Sequence, residues 1–201
     1  KFGKRDFEFL ANPKDENVPE LKTGDVVLMS RDEKGKHSLR QIPNLQGAVV
    51  VMDSNTGAVQ ALQGGFSFAT SEFNRAVQAL RQPGSSVKPF VYEAALANGF
   101  SPVSIVVDGP IVVDQGPDLG FWSPTNYSNK FYGPTPLRRG LELSRNLMTV
   151  RLAQAVGISK VTTLYEDLGL AKDIPFYYSA ALGSIETTPL RLASAFATLS
   201  Q

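Results

Sequence analysis

The chain has 201 residues, 42% hydrophobic and 19% charged, with 20 basic against 19 acidic side chains and a formal net charge of +1. That length suits one domain or slightly more, the apolar share excludes overall disorder, and the charge balance leaves no footprint for nucleic acid or a membrane surface. No apolar run approaches the about 20 residues that span a bilayer, and with no cysteine and one histidine, His37, disulfides, thiolate sites, a Cys nucleophile and His-based chemistry drop out. Catalysis, if present, must run on Ser, Thr, Lys, Asp, Glu, Tyr or backbone groups.

Residues 1–45 hold most of the charge runs, with short strands expected over 25–29 and 38–42. This stretch is too small for its own core and reads as the end of a β-rich domain and a linker. From Gln46 the pattern sharpens. β-Branched runs over 47–53 and 58–62 flank Ser54-Asn55-Thr56-Gly57, a hairpin signature. Arg81-Gln82-Pro83-Gly84 breaks the chain before an expected helix over 85–99, with Val87, Phe90, Val91, Ala94 and Ala95 apolar and Gly99 as its stop. Strand-like runs over 105–107 and 111–113 follow, then helices over 136–143, 147–156 and 160–168. Thr187-Thr188-Pro189 caps a last helix that should run through Gln201, so the chain reads as a piece of something longer. A hairpin first and helices later predict an α+β fold, helices packed on an antiparallel sheet.

Two short motifs could carry chemistry. In Ser85-Ser86-Val87-Lys88, i,i+3 spacing at a helix start puts the Ser85 hydroxyl and the Lys88 ammonium on one face. Unpaired N–H groups there favour negative charge, and a lysine desolvated enough to lose its proton can activate a serine. The plain alternative is an N-cap serine and a solvated lysine, although Pro89 holds this helix start irregular. Ser144-Arg145-Asn146 falls between two helical patterns, where Ser and Asn are also ordinary caps. Asp108, Asp114 and Asp118 have no spacing for a hard cation, so no metal site is expected, and His37 reads as a polar loop residue.

S-x-x-K followed by S-x-N belongs to the motif set of serine β-lactamases and penicillin-binding proteins. The run Asn74-Arg75-Ala76 through Arg81-Gln82-Pro83-Gly84-Ser85-Ser86-Val87-Lys88-Pro89 resembles the nucleophile region of class A penicillin-binding proteins. So do Gly47-Ala48-Val49-Val50-Val51-Met52-Asp53, Trp122-Ser123-Pro124-Thr125-Asn126-Tyr127 and Ala181-Leu182-Gly183-Ser184. The resemblance covers 46–201 and is nearest to the Gram-negative 1A-like group.

It implies an incomplete penicillin-binding protein/serine β-lactamase-like transpeptidase fold over 46–201, preceded over 1–45 by the end of a β-rich linker domain. It implies a D,D-transpeptidase that cross-links peptidoglycan stem peptides through an acyl-enzyme on Ser85, with Lys88 as base, Ser144 as proton relay and Asn146 and Trp122 binding substrate. Asn126, Tyr127 and Tyr132 resemble cleft-lining residues. Partners would be a D-Ala-D-Ala donor, an amine acceptor, β-lactam antibiotics and the rest of the same domain; no cofactor is implied. The parent would be bifunctional, also polymerising glycan strands, and anchored on the periplasmic side of the inner membrane by a segment outside this chain. The family's third motif, K-T-G, should lie beyond residue 201 on a strand edging the cleft. Lys22-Thr23-Gly24 spells it but precedes S-x-x-K, so it is expected to be a coincidence. Relatives in which water resolves the acyl-enzyme, and a non-catalytic penicillin-binding module, are the alternatives.

Overall fold

In a computed structural model, residues 22–40, 43 and 45–201 are described; the N-terminal charge run and positions 41–42 of the second expected strand lie outside them. The chain divides into two compact units, Lys1–Gln46 and Gly47–Gln201.

In the first unit, β1 (Leu28–Arg31) and β2 (His37–Arg40) pair antiparallel from Leu28↔Arg40 to Arg31↔His37. The strand begins three residues later than expected, because the Asp25 carboxylate accepts from the Lys22 N–H at 2.7 Å and Gly24 has φ +107°. Lys22-Thr23-Gly24 is therefore a turn, not a strand. His37 is not in a loop; it opens β2, exposed to solvent.

The second unit opens on the expected hairpin, β3 (Val49–Met52) against β4 (Val59–Gln63). Asp53 Oδ1 accepts from the N–H groups of Asn55 and Thr56, both at 2.9 Å, and Gly57 takes φ +70° to close the turn. The expected helix over 85–99 resolves into a 3-10 turn, Gly84–Val87, running into α1 (Lys88–Ala97). Pro89 is tolerated because the first-turn N–H groups have no intrahelical partner. At the other end, Gly99 (φ +91°) donates to Leu96 O and Phe100 N–H to Ala95 O, the Schellman closure that Gly99 predicts.

The middle holds β5 (Ile105–Asp108), β6 (Val113–Asp114), β7 (Phe121–Trp122) and β8 (Gly133–Pro136), pairing β5 with β8 and β6 with β7. Then come α2 (Leu137–Glu142), α3 (Asn146–Val156), α4 (Ile158–Asp167), a 3-10 turn over Tyr178–Leu182 and α5 (Pro189–Thr198). The Thr188 hydroxyl caps α5 by accepting from Arg191 N–H at 3.3 Å. The last helix does not run through Gln201: it ends at Thr198, and the Ser200 hydroxyl turns back to donate to Ala197 O and to Ser54 O in the β3–β4 turn.

The fold is α+β as expected, with every strand pair antiparallel, but among the described residues the strands form four separate two-stranded ladders. The core lies between helices. Phe90, Val91 and Ala95 of α1 are fully buried with Met148 and Leu152 of α3 and Val161 and Tyr165 of α4. Phe90 meets the Tyr165 ring edge-on at 6.4 Å and the Phe196 ring at 5.1 Å. Burial of each large aliphatic or Phe side chain among these contributes about 1.5–3 kcal/mol, which anchors α1 and so the residues at its start.

Candidate active site

Ser85 sits in the 3-10 turn, exposed, and Lys88, the first residue of α1, donates its backbone N–H to Ser85 O. Behind this turn Gly84 N–H donates to Gly183 O at 3.3 Å, and a Cβ on Gly183 would lie 2.1 Å from Gly84 O. Only glycine lets these two backbones approach so closely, and Gly183 also takes φ +82°. Arg81 and Thr187 pair on the same side through two backbone hydrogen bonds of 2.9 and 3.0 Å. The serine is thus presented on a turn pinned from behind.

Lys88 is 1% exposed. Its Nζ donates to Ser144 O at 2.7 Å, Ser144 Oγ at 3.0 Å and Asn146 Oδ1 at 2.6 Å. Burial pulls the ammonium pKa down from 10.5 to about 8. The solvated-lysine alternative therefore fails. Hydrogen bonds thus join Lys88, Ser144 and Asn146, while the Ser85 hydroxyl, exposed three residues before Lys88, forms no hydrogen bond among the described residues.

Ser144 is placed by the end of α2. Its N–H donates to Leu141 O and the Arg145 N–H to Gly140 O, the bonding of a Schellman motif whose left-handed position is Ser144 at φ +52°. Glycine is the usual residue there, and a side-chain-bearing residue holds that conformation at a cost of about 1–3 kcal/mol. Asn146 is the first residue of α3, with Leu143, Ser144 and Arg145 between the two helices.

Arg145, at the N-cap, makes no side-chain capping bond. The cap arrives from the loop after β7. Asn126 Oδ1 accepts from Asn146 N–H at 2.9 Å and Leu147 N–H at 3.3 Å, while Asn146 Nδ2 donates to Thr125 O at 2.9 Å. Asn126 is 2% exposed, a buried strut rather than a cleft-lining residue. Tyr127 beside it is fully exposed, and Tyr132 carries the Arg145 guanidinium 3.4 Å above its ring. Trp122 packs on Ile111, Val113, Leu147 and Val150, one residue from Asn146 along α3 and without a bond to Lys88. The strut role of Asn126 was missed from sequence. The available signal was Arg145, which cannot cap the helix it precedes, so that helix's first N–H groups needed an acceptor from elsewhere.

Residues 47–201 match the penicillin binding protein transpeptidase domain. Penicillin-binding protein 1A of Rickettsia conorii is 50% identical over 177 residues, covering 88% of this chain and 22% of that protein. The Pseudomonas aeruginosa penicillin-binding protein 1A is 45% identical over 175 residues, covering 86% and 21%. The chain therefore spans about a fifth of the length of these relatives. Among solved structures, penicillin-binding protein 1A from Haemophilus influenzae superposes with a TM-score of 0.77 at 38% identity, covering 86% of this chain and 26% of that one. PonA1 from Mycobacterium tuberculosis in complex with penicillin V superposes with a TM-score of 0.65 at 29% identity, covering 77% and 43%. The family match, the two relatives and the fold agree on one assignment: this chain belongs to the penicillin-binding protein transpeptidase domain family.

Proposed function

We propose that residues 46–201 form the N-terminal and helical part of a peptidoglycan D,D-transpeptidase, and that residues 1–45 end a β-rich linker domain. The observation that carries this reading is the buried Lys88 ammonium, with a lowered pKa and three oxygens from the S-x-N segment around it. At pH 7 a group with a pKa of about 8 is neutral in about a tenth of molecules, a usable supply of base.

Neutral Lys88 takes the Ser85 proton as Oγ bonds to the carbonyl carbon of the penultimate D-Ala. The resulting oxyanion is met by the Ser85 backbone N–H and by donors from the rest of the domain. As the C–N bond to the terminal D-Ala breaks, the leaving amine takes a proton through Ser144, whose hydroxyl already touches Lys88 Nζ. Asn146 and Trp122 hold the donor peptide. An amine of a neighbouring stem peptide then attacks the ester, takes the acyl group and releases Ser85. β-Lactams acylate the same serine, and no metal or cofactor takes part. The parent protein is bifunctional and works on the periplasmic side of the inner membrane, anchored outside this chain; among the described residues no helix is long and apolar enough to cross a membrane.

Product analysis tests this reading. The full-length protein given a D-Ala-D-Ala donor and an excess of amine acceptor should release D-Ala and form the acceptor-linked product. Release of D-Ala with only the hydrolysed peptide as partner product would make it a carboxypeptidase instead.

A further inference from the structure

Beneath the S-x-N segment lies a buried polar pair that the chemistry above does not use. Asn126 spends its side-chain oxygen on the first N–H groups of α3, those of Asn146 and Leu147. Its Nδ2 donates to Asp108 Oδ1 at 2.6 Å and Lys130 O at 2.9 Å. Asp108 is completely buried at the end of β5, and its other oxygen lies 3.7 Å from Arg145 Nε. A carboxylate and an amide taken wholly out of water are costly unless paired. Here each partner is fixed by the other, and between them they hold residues 145–147, Asn126 through the N–H groups of Asn146 and Leu147 and Asp108 through Arg145.

The consequence reaches Lys88. Thr125 O accepts from Asn146 Nδ2, so the Asn146 carboxamide can turn only its oxygen toward the Lys88 Nζ, at 2.6 Å. Residues 125 and 126 thus hold Asn146 by side chain and backbone at once. Asp108 reaches the same segment twice, through Asn126 and through Arg145. We infer that Asn126, clamped by Asp108, is a positioning residue that sets Asn146 against Lys88 for acylation. The inference rests on the catalytic reading of those residues given above.

The experiment uses the full-length protein and a chromogenic β-lactam, with stopped-flow separating the binding constant K from the acylation step k2. The stoichiometry of bound drug counts folded, competent sites. Asn126→Ala should lower k2 per competent site on the order of 10²-fold, the scale of a misplaced catalytic group, with K little changed. Asn126→Asp keeps an oxygen at the helix start but sets two carboxylates face to face, and it should also lose k2. Adding Asp108→Asn restores one donor and one acceptor across the pair but leaves Lys130 O without its donor, so the double swap should recover part of the loss. An unchanged k2 per competent site in Asn126→Ala, a change confined to K, or a double swap no better than Asn126→Asp would overturn the inference. Ser85→Ala and Lys88→Ala separate the two levels. If both are silent while Asn126→Ala acylates like the parent, only the clamp is wrong. If Ser85→Ala still acylates, the reading of the site itself fails.

Discussion

Lys88 is the residue in which the sequence pattern acquires chemical meaning. A lysine one turn after a serine is commonplace; one that is 1% exposed and ringed by Ser144 O, Ser144 Oγ and Asn146 Oδ1 is not. Desolvation holds its pKa at about 8 against 10.5 in the unfolded chain. Between those values the unfolded chain binds the proton that the folded protein has released, so the contribution of Lys88 to stability rises with pH from about 8 to 10.5. Its cost to the fold is full below about pH 8. The same titration should govern reactivity: k2 for β-lactam acylation in the full-length protein should climb about tenfold per pH unit below 8 and level off above it. A flat profile from pH 6 to 9 would remove Lys88 as the base. From sequence, the identity of this residue was legible through its spacing from Ser85. Its burial was not, because the oxygens around it come from a segment 56 and 58 positions away.

At the scale of elements, the α2–α3 junction shows how local rules were bent for the site. The helical periods placed both helices to within two residues, and Ser144 fell in the connection as expected, whereas Asn146, expected there too, is the first residue of α3. What the sequence hid is that Ser144 occupies the left-handed position of a Schellman closure, because nothing but glycine or asparagine normally marks such a position. Similarly, Asn126 reads as a cleft-lining residue until α3 is seen to lack a local cap. Ser144→Gly relieves the backbone while deleting the hydroxyl beside Lys88. It should raise stability by about 0.5–1 kcal/mol in thermal unfolding and reduce acylation on the order of 10²-fold. A variant no more stable than the parent would show that φ +52° carries no strain at Ser144.

In the second unit as a whole, an apolar core made by α1, α3, α4 and α5 anchors the turn that carries Ser85. The hairpin, the helices and the α+β class were readable from period and turn chemistry. The short ladders β5–β8 and β6–β7 were not, since they rest on pairings 20 or more residues apart or on two-residue strands with no alternation to detect. The central claim is that Ser85, on the turn that Gly183 packs behind, is the group acylated. Its most direct test is a penicillin adduct trapped on the full-length protein, digested and mapped by mass spectrometry. The adduct should sit on Ser85 alone and vanish in Ser85→Ala. An adduct on Ser86 or Ser144, or one that survives Ser85→Ala, would contradict the account.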